Sequence, residues 1–472
     1  IYLYEAIGEK YREQGNNDQY LRHSIEAARK FSDLTEEEMA DSLFISGAII
    51  KSGNRYTLKI SKFEEYIVKK YNIRILDQER AMFRYNGICY EVCSEKSLNK
   101  LCQDELGINR NLFAKSALSD VIHYAIGDVL VNSEEVKKDQ INYLTMNNGI
   151  FNINENRLIP HTPDIFTTNR LPFDYDPDAT CPRFMQFLDE VFPRDKEKIH
   201  FVQEAVGYVF HKAIPTPAMF FLTGNGSNGK SVFINTVSNM IGEENTCNIS
   251  FNRLPDEKYI LELFQKMLNV SGETPQNKNI NSDMIKAVTA GDWVTGKQLY
   301  KDPFKFRPYA KSFLAMNEPP SIKDNSHGMW RRIYVIEFPR KFEDHEMDRE
   351  LEYKLKKELS GIFNWALEGY RRLREKKFAL HESDSMRTAK SEYRSSTDSV
   401  RAFIADNLKK SENDRIKLSE LYNQYETYCH TEGLMSVEKK NQFRKTLEDM
   451  KFEVSNSSKD GNQCFVFNVR TS

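Results

Sequence analysis

Between an apolar run, Ala218-Met-Phe-Phe-Leu222, and a second patterned segment, Val232–Ile241, the chain reads Gly-Asn-Gly-Ser-Asn-Gly-Lys-Ser. This G-x-x-x-x-G-K-S spacing constrains the fold more than any other stretch. It works as a phosphate-binding loop only where a strand enters it and a helix leaves it. Both are expected here: 218–222 reads as a short buried strand, and 232–241 as a helix closed by Gly242. Glycines let successive N–H groups turn inward on an anion, and the helix N-terminus adds partial positive charge. In that arrangement Gly224, Asn225, Gly226, Ser227, Asn228 and Gly229 wrap the phosphates of ATP, Lys230 reaches the β- and γ-phosphates, and Ser231 holds Mg2+. The plainer alternative is a glycine-rich turn before a helix, and the flanking strand and helix weigh against it.

Composition narrows the setting. At 472 residues the chain is long enough for about three domains, and 40% hydrophobic residues can bury a sizeable core. A net charge of −2 puts no global cation on the molecule, so any nucleic-acid contact has to come from local basic patches. No apolar run approaches the roughly 18 residues of a membrane span, and no partner membrane is expected. Cys89, Cys93 and Cys102 are the only cysteine cluster and lack a further ligand at zinc spacing, so reduced cytosolic thiols are the expectation. The chain opens on Ile1 rather than Met, which points to a segment of a longer protein.

Along the chain, residues 1–80 read as mostly helical, with Thr35-Glu-Glu-Glu as a helix start. Residues 80–93 alternate like a hairpin turning on Asn86-Gly87, followed by helical patterns at 95–106 and 111–126. From Asn142 to Pro182 short alternating stretches read as irregular β structure, leading into helices at 183–193 and 195–212. Residues 216–340 alternate strand and helix, which implies a parallel sheet. Residues 343–377 are helical, and polar text at 379–398 reads as a linker.

The residues after the loop indicate what kind of machine uses it. Lys266-Met-Leu-Asn-Val-Ser-Gly-Glu273 is an apolar strand ending in a carboxylate, and hydrolysis needs a carboxylate to polarise the attacking water. Residues 285–306 read as a helix and then a hairpin that presents Lys297, Lys301 and Lys305, with Lys301-Asp302-Pro303 at its tip. A lysine there suits phosphate-backbone contact, although a merely solvated turn lysine is the usual case. Asn317 ends another apolar strand, where it can orient the attacking water. Arg331 and Arg332 precede a further strand, and an arginine reaching a neighbour's nucleotide stabilises charge on the transferring phosphate. A pair of salt-bridging structural arginines is the alternative.

In this order the motifs resemble superfamily 3 helicases, and among them the primase–helicase family of phages, plasmids and poxviruses. Gly224–Ser231 match Walker A, Glu273 Walker B, Asn317 sensor 1 and Arg331-Arg332 the arginine finger. Asn317-Glu-Pro-Pro, Gly328-Met-Trp-Arg-Arg-Ile and Gly361-Ile-Phe-Asn-Trp-Ala-Leu-Glu-Gly369 are also close to that family. So, upstream, is Cys181-Pro-Arg-Phe-Met-Gln-Phe-Leu. The resemblance implies an α/β fold with an AAA+-type parallel-sheet motor over 206–378, a collar-like domain over 81–205, a hexameric ring and ATP sites between subunits. It further implies movement along DNA driven by the hairpin. Two departures stand out. The Walker B strand ends in a single carboxylate, and residues 1–80 show no paired metal-binding carboxylates, so primase activity is not expected of this chain.

Residues 399–472 read as helix, helix, helix, hairpin, a winged-helix pattern. Phe443, Leu447 and Met450 share one face of the third helix, 436–451, while Lys439, Lys440, Arg444 and Lys445 share the other, and Lys459 sits in the wing. DNA binding and protein interaction are both open to such a unit. The expectation is thus a replicative DNA helicase of a phage, virus or mobile element, in a bacterial cytoplasm or at a viral replication site, with a primase or other replication proteins as partners. Its rivals are an origin-binding initiator and an ATP-dependent scaffold that does not unwind.

Overall fold

The computed structural model describes residues 42–52, 55–107, 113, 120, 130–272, 282–297, 303–317, 320, 322, 324, 326–397, 399–431, 437–457 and 461–471. The Thr35 helix start, Glu273, Lys301 and Lys459 lie outside these residues, as does the 111–126 helix apart from isolated positions. Two units divide the chain, 1–175 and 176–472.

In the first unit, local turn chemistry sets the strands. Met82–Tyr85 and Tyr90–Val92 pair antiparallel, with Tyr85 opposite Tyr90. Asn86 builds the turn: its Oδ1 accepts from the N–H groups of Ile88 and Cys89, both at 3.0 Å. Gly87 takes the positive φ of 97° that the next position needs. Ser94 caps the helix Glu95–Leu106 by accepting from Ser97 N–H. Tyr143–Met146, Gly149–Asn152 and Arg157–Ile159 form a regular antiparallel meander. The described part of 1–80 is not mostly helical. Ile49–Ser52 and Arg55–Leu58 form a ribbon before the helix Ile60–Tyr71, because β-branched and aromatic residues there pack on a pleated surface.

The second unit opens with α1 (Pro182–Val191) and α2 (Lys196–Tyr208). Its sheet comprises β1 (Met219–Thr223), β2 (Thr246–Cys247), β3 (Leu268–Ser271), β6 (Lys311–Met316) and β7 (Ile333–Glu337). The spatial order is β2-β3-β6-β1-β7 and every pair is parallel. Met219, Phe220, Phe221 and Leu222 are fully buried, as expected of a parallel strand covered on both faces. Helix α3 (Lys230–Ile241) follows β1, and α4 (Ser282–Ala290) precedes a two-stranded hairpin, β4 (Val294–Gly296) and β5 (Phe304–Phe306). Helices α5 (Leu351–Lys356) and α6 (Leu359–Glu375) come after β7.

Helices α2 and α6 touch backbone to backbone. A Cβ on Gly207 would collide with the main chain of Ala366 and Tyr370, and one on Gly369 with that of Gln203. Buried Glu204 straps the same pair: its Oε1 accepts from Arg372 Nε at 2.6 Å and Lys376 Nζ at 2.8 Å. Residues 182–205, expected in the pre-motor domain, therefore pack with the sheet's unit.

The expected linker is corrected. Residues 384–397 form helix α7 (Asp384–Thr397), because Tyr393 is buried in the main core, with its ring 5.1 Å from Trp330 and its hydroxyl donating to Pro320 O at 2.5 Å. The last segment runs α8 (Ser399–Asn407), β8 (Leu408–Lys417), α9 (Leu418–Thr431), α10 (Lys440–Asp449), β9 (Glu453–Ser457) and β10 (Gln463–Thr471). Strand β8 is an addition to the expected helix, helix, helix, hairpin. The three strands form one antiparallel sheet, β8-β10-β9, over a core that includes Phe403, Tyr425, Phe443 and Leu447.

Candidate functional site

The loop after β1 turns through positive φ at Gly224 (148°), Gly226 (75°), Ser227 (45°) and Gly229 (88°). Two of these glycines are also required sterically. A Cβ on Gly229 would lie 2.8 Å from Val191 Cγ1 of α1, and one on Gly224 would lie 2.7 Å from Phe338 O. Phe342 N–H donates to Ser227 O at 2.8 Å and pins the loop's crest. Lys230 begins α3 and is buried. Its ammonium donates to Gly224 O, to Asn228 Oδ1 at 3.1 Å and to Asn317 Oδ1 at 3.4 Å. A buried cation among neutral oxygens on a glycine loop, with Ser231 exposed on the first helical turn, fits the phosphates of a nucleotide and a magnesium ion. Among the described residues no cluster of three or more His, Cys, Asp or Glu could hold a metal, so Ser231 is the described metal candidate.

A cavity of about 480 Å³ lies against the loop. Lys230, Ser231, Gly272 and Asn317 line one side, and Arg183, Phe187 and Glu190 of α1 line another with residues 342–351. Its carboxylates are already engaged. Glu190 pairs with Arg183 at 3.4 Å, Asp348 with Lys354 at 2.9 Å and Glu346 with Arg340 at 2.9 Å. The Lys354 ammonium holds Asp348 below the usual carboxylate range, and the Glu343 N–H and Arg340 do the same for Glu346. The α1 wall went unread because no motif spacing links it to a loop about forty residues downstream.

Asn317 immediately follows β6, which lies directly between β1 and β3, so strand order brings this residue to the loop. Strand β3 ends at Ser271 and Gly272 lines the cavity; Glu273 is the first residue beyond the described segment. The arginine pair is not brought to this loop. Ile333 registers with Met219 at the start of β1, whereas the loop follows Thr223, which registers with Glu337. That separation is about 16 Å along the strands, at their opposite end. The two arginines also differ. Arg331 is exposed, whereas Arg332 is buried, with its guanidinium donating to Gly328 O and its pKa pushed down by burial and by Arg331 beside it.

Of the expected DNA contacts, Lys297 and Lys305 are exposed at the hairpin, and Thr295 lies opposite Lys305. In the C-terminal unit Lys439, Lys440 and Lys445 are exposed on and beside α10, while Arg444 pairs with Glu448 at 2.8 Å. The face shared by Phe443 and Leu447 is buried as expected, with Met450 half-buried against it. Helix α10 starts at Lys440, four residues later than expected.

A glycine loop between strand and helix, on a parallel sheet whose neighbouring strand ends in a polar residue, defines a P-loop α/β fold. Family models fall on the chain in tandem: "D5 N terminal like" over 51–193, a family of unknown function over 222–332 and "Poxvirus D5 protein-like" over 395–468. These family models support the primase–helicase family of superfamily 3, to which the chain is similar in tandem segments. A protein of Acanthamoeba polyphaga mimivirus, provisionally named a helicase, is 27% identical over 270 residues, covering 53% of this chain and 27% of that protein. One of invertebrate iridescent virus 3, named in the same way, is 26% identical over 265 residues, covering 49% and 28%. The match thus spans about a quarter of the length of these relatives. An apo structure of the C-terminal region of NrS-1 superposes with a TM-score of 0.48 and 12% identity, over 86% of this chain and 98% of that one. Among the described residues no helix is long and apolar enough to cross a membrane.

Proposed function

We propose that the chain is an ATP-driven DNA helicase of a virus or mobile element, working as a ring of identical subunits, six by family resemblance, with nucleotide sites between them. One observation carries this reading: the P-loop and Arg331 lie at opposite ends of two adjacent parallel strands, so Arg331 does not reach the loop of its own subunit. The strand order, with β6 between β1 and β3, fits the AAA+-type motor that the family resemblance implies. Bound ATP–Mg2+ supplies the phosphoanhydride whose cleavage drives movement. Lys230 exchanges the oxygens of Gly224, Asn228 and Asn317 for those of phosphate, and Ser231 holds the magnesium ion. Asn317 orients the attacking water, Glu273 takes up its proton, and Arg331 of an adjacent subunit offsets charge on the transferring phosphate. Lys297, Lys301 and Lys305 contact the DNA backbone from the hairpin. In this assignment Arg332 is a structural residue.

Lys230→Ala should abolish ATP hydrolysis, whereas Lys301→Ala should keep hydrolysis and lose strand displacement. Normal unwinding by Lys301→Ala would overturn the hairpin's role, and hydrolysis without strand displacement by the unaltered chain would favour a scaffold.

The C-terminal unit favours a second, compatible reading as an origin-binding initiator. Its helix–strand–helix–helix–strand–strand order fits the winged helix expected from the sequence, and Lys439, Lys440 and Lys445 are exposed together on and beside α10. A footprint on the element's own origin, lost when 399–472 are deleted, would establish it. Uniform binding to all duplexes would exclude it.

A further inference from the structure

The hairpin that carries Lys297 and Lys305 has two unlike faces. Inward, Val294 and Phe306 are buried in the main core with Phe304 packed against it, and Phe264 clasps both phenylalanines at ring separations of 4.8 and 5.4 Å. Side chains alternate along a strand, so the outward positions are Trp293, Thr295 and Lys297 on one side, and Lys305 and Arg307 on the other. No carboxylate occupies these positions. Trp293 is 40% exposed, whereas Trp330 and Trp365, the other two tryptophans, are 2% and 7% exposed. The Arg307 guanidinium lies over the Trp293 ring, 5.1 Å from its centroid. An exposed indole with Arg307 over its ring, on a hairpin face that carries Lys297 and Lys305 farther along, suits an unpaired base on a phosphate backbone, although Asp292 adjoins the ring in sequence. Double-stranded DNA hides its base faces in the stack and offers this ring nothing.

We infer that Trp293, held by Arg307 at the foot of the hairpin, is a stacking platform for a base of single-stranded DNA, so that the hairpin grips one unpaired strand through a base as well as through phosphates. The inference rests on the hairpin being a DNA contact. Arg307 also holds a phosphate, and Trp293 contributes affinity that does not depend on charge.

The full-length chain should be titrated with oligo(dT), following tryptophan fluorescence and anisotropy of a labelled oligonucleotide in parallel. Binding should quench the fluorescence, a blunt duplex should quench far less, and W293F should remove the quench while keeping most of the affinity. W293A should bind oligo(dT) about tenfold more weakly at every salt concentration, with the slope of log K against log salt unchanged. R307A should lower that slope by about 0.7. A quench that survives in W293F overturns the inference, as does wild-type affinity in a W293A chain that melts normally, an equal quench by duplex, or a W293A effect confined to oligomeric mass in sedimentation. Absence of oligo(dT) binding by the unaltered chain would overturn the helicase reading as well. Binding that ignores Trp293 would overturn this inference alone.

Discussion

At the C-terminal end of the parallel strands β1 runs out into glycines, and the chain leaves a cavity of about 480 Å³ beside a buried lysine. At the N-terminal end of the strands the space is filled. Arg332 O accepts from Met219 N–H at 2.6 Å, and the fully buried Lys311 ammonium donates to the carbonyls of His211, Ala213 and Tyr309. Of the arginine pair, only Arg331 is exposed there. Chemistry needs space and movable polar groups, and packing needs neither. The comparison teaches that motifs following one another along the chain need not surround one cavity. Lys230 and Asn317 meet although 87 residues separate them, whereas the arginines that follow closely on Asn317 sit at the far end of the strands.

The sharpest way to break this contrast is to mix subunits. Arg331→Ala should lower ATP turnover by about 10³-fold or more while leaving nucleotide binding by the P-loop in place. Mixing Arg331→Ala chains with Lys230→Ala chains should restore part of the turnover, because some interfaces then pair an intact loop with an intact arginine. A mixture with no recovered turnover would mean that Arg331 acts within its own chain or not at all.

The pairing of α2 with α6 should respond in stability. Glu204→Gln removes the charge that Arg372 and Lys376 share across α2 and α6, and should cost about 3 kcal/mol in urea unfolding. A change below about 1 kcal/mol would show that the backbone contact alone holds the helices. The last effect, absent at neutral pH, concerns His211. Burial, then Lys311 and Arg374, push its imidazole down to about 3, against an ordinary value of about 6.5 in the unfolded chain. From about pH 6.5 down to about 3 the unfolded state binds the extra proton, so stability should fall with falling pH by up to about 1.4 kcal/mol per unit. It should be untouched by this group above pH 7. His211→Gln should flatten that part of the profile; an unchanged slope would assign the acid sensitivity to other groups.

What could be read in advance depended on how local the cause was. The P-loop, the Asn86-Gly87 turn and the buried face of Phe443 and Leu447 are each set by residues within one or two turns of chain. Helix α7 was missed because its text is polar and serine-rich, and Tyr393 and Met386 become meaningful only once a core exists to receive them. Strand β8 was missed because its charged text resembles a loop. It is an edge strand, where such residues are tolerated and discourage pairing with another chain. The α1 side of the cavity was invisible for want of any motif tying Phe187 to a distant loop, and the fate of the arginine pair turned on strand direction rather than on spacing.

The contact between Gly207 and Gly369 bears on how the protein can be divided. One glycine precedes the P-loop and the other follows the last sheet strand, so the polypeptide closes on itself like a clasp around the sheet. A fragment cut at 222–332, the bounds of the matched central family, would carry most of the recognisable motifs and neither half of the clasp. The unit that is inherited as text is therefore shorter than the unit that can stand alone, and a workable dissection of this chain has to begin before α1 and end beyond α6.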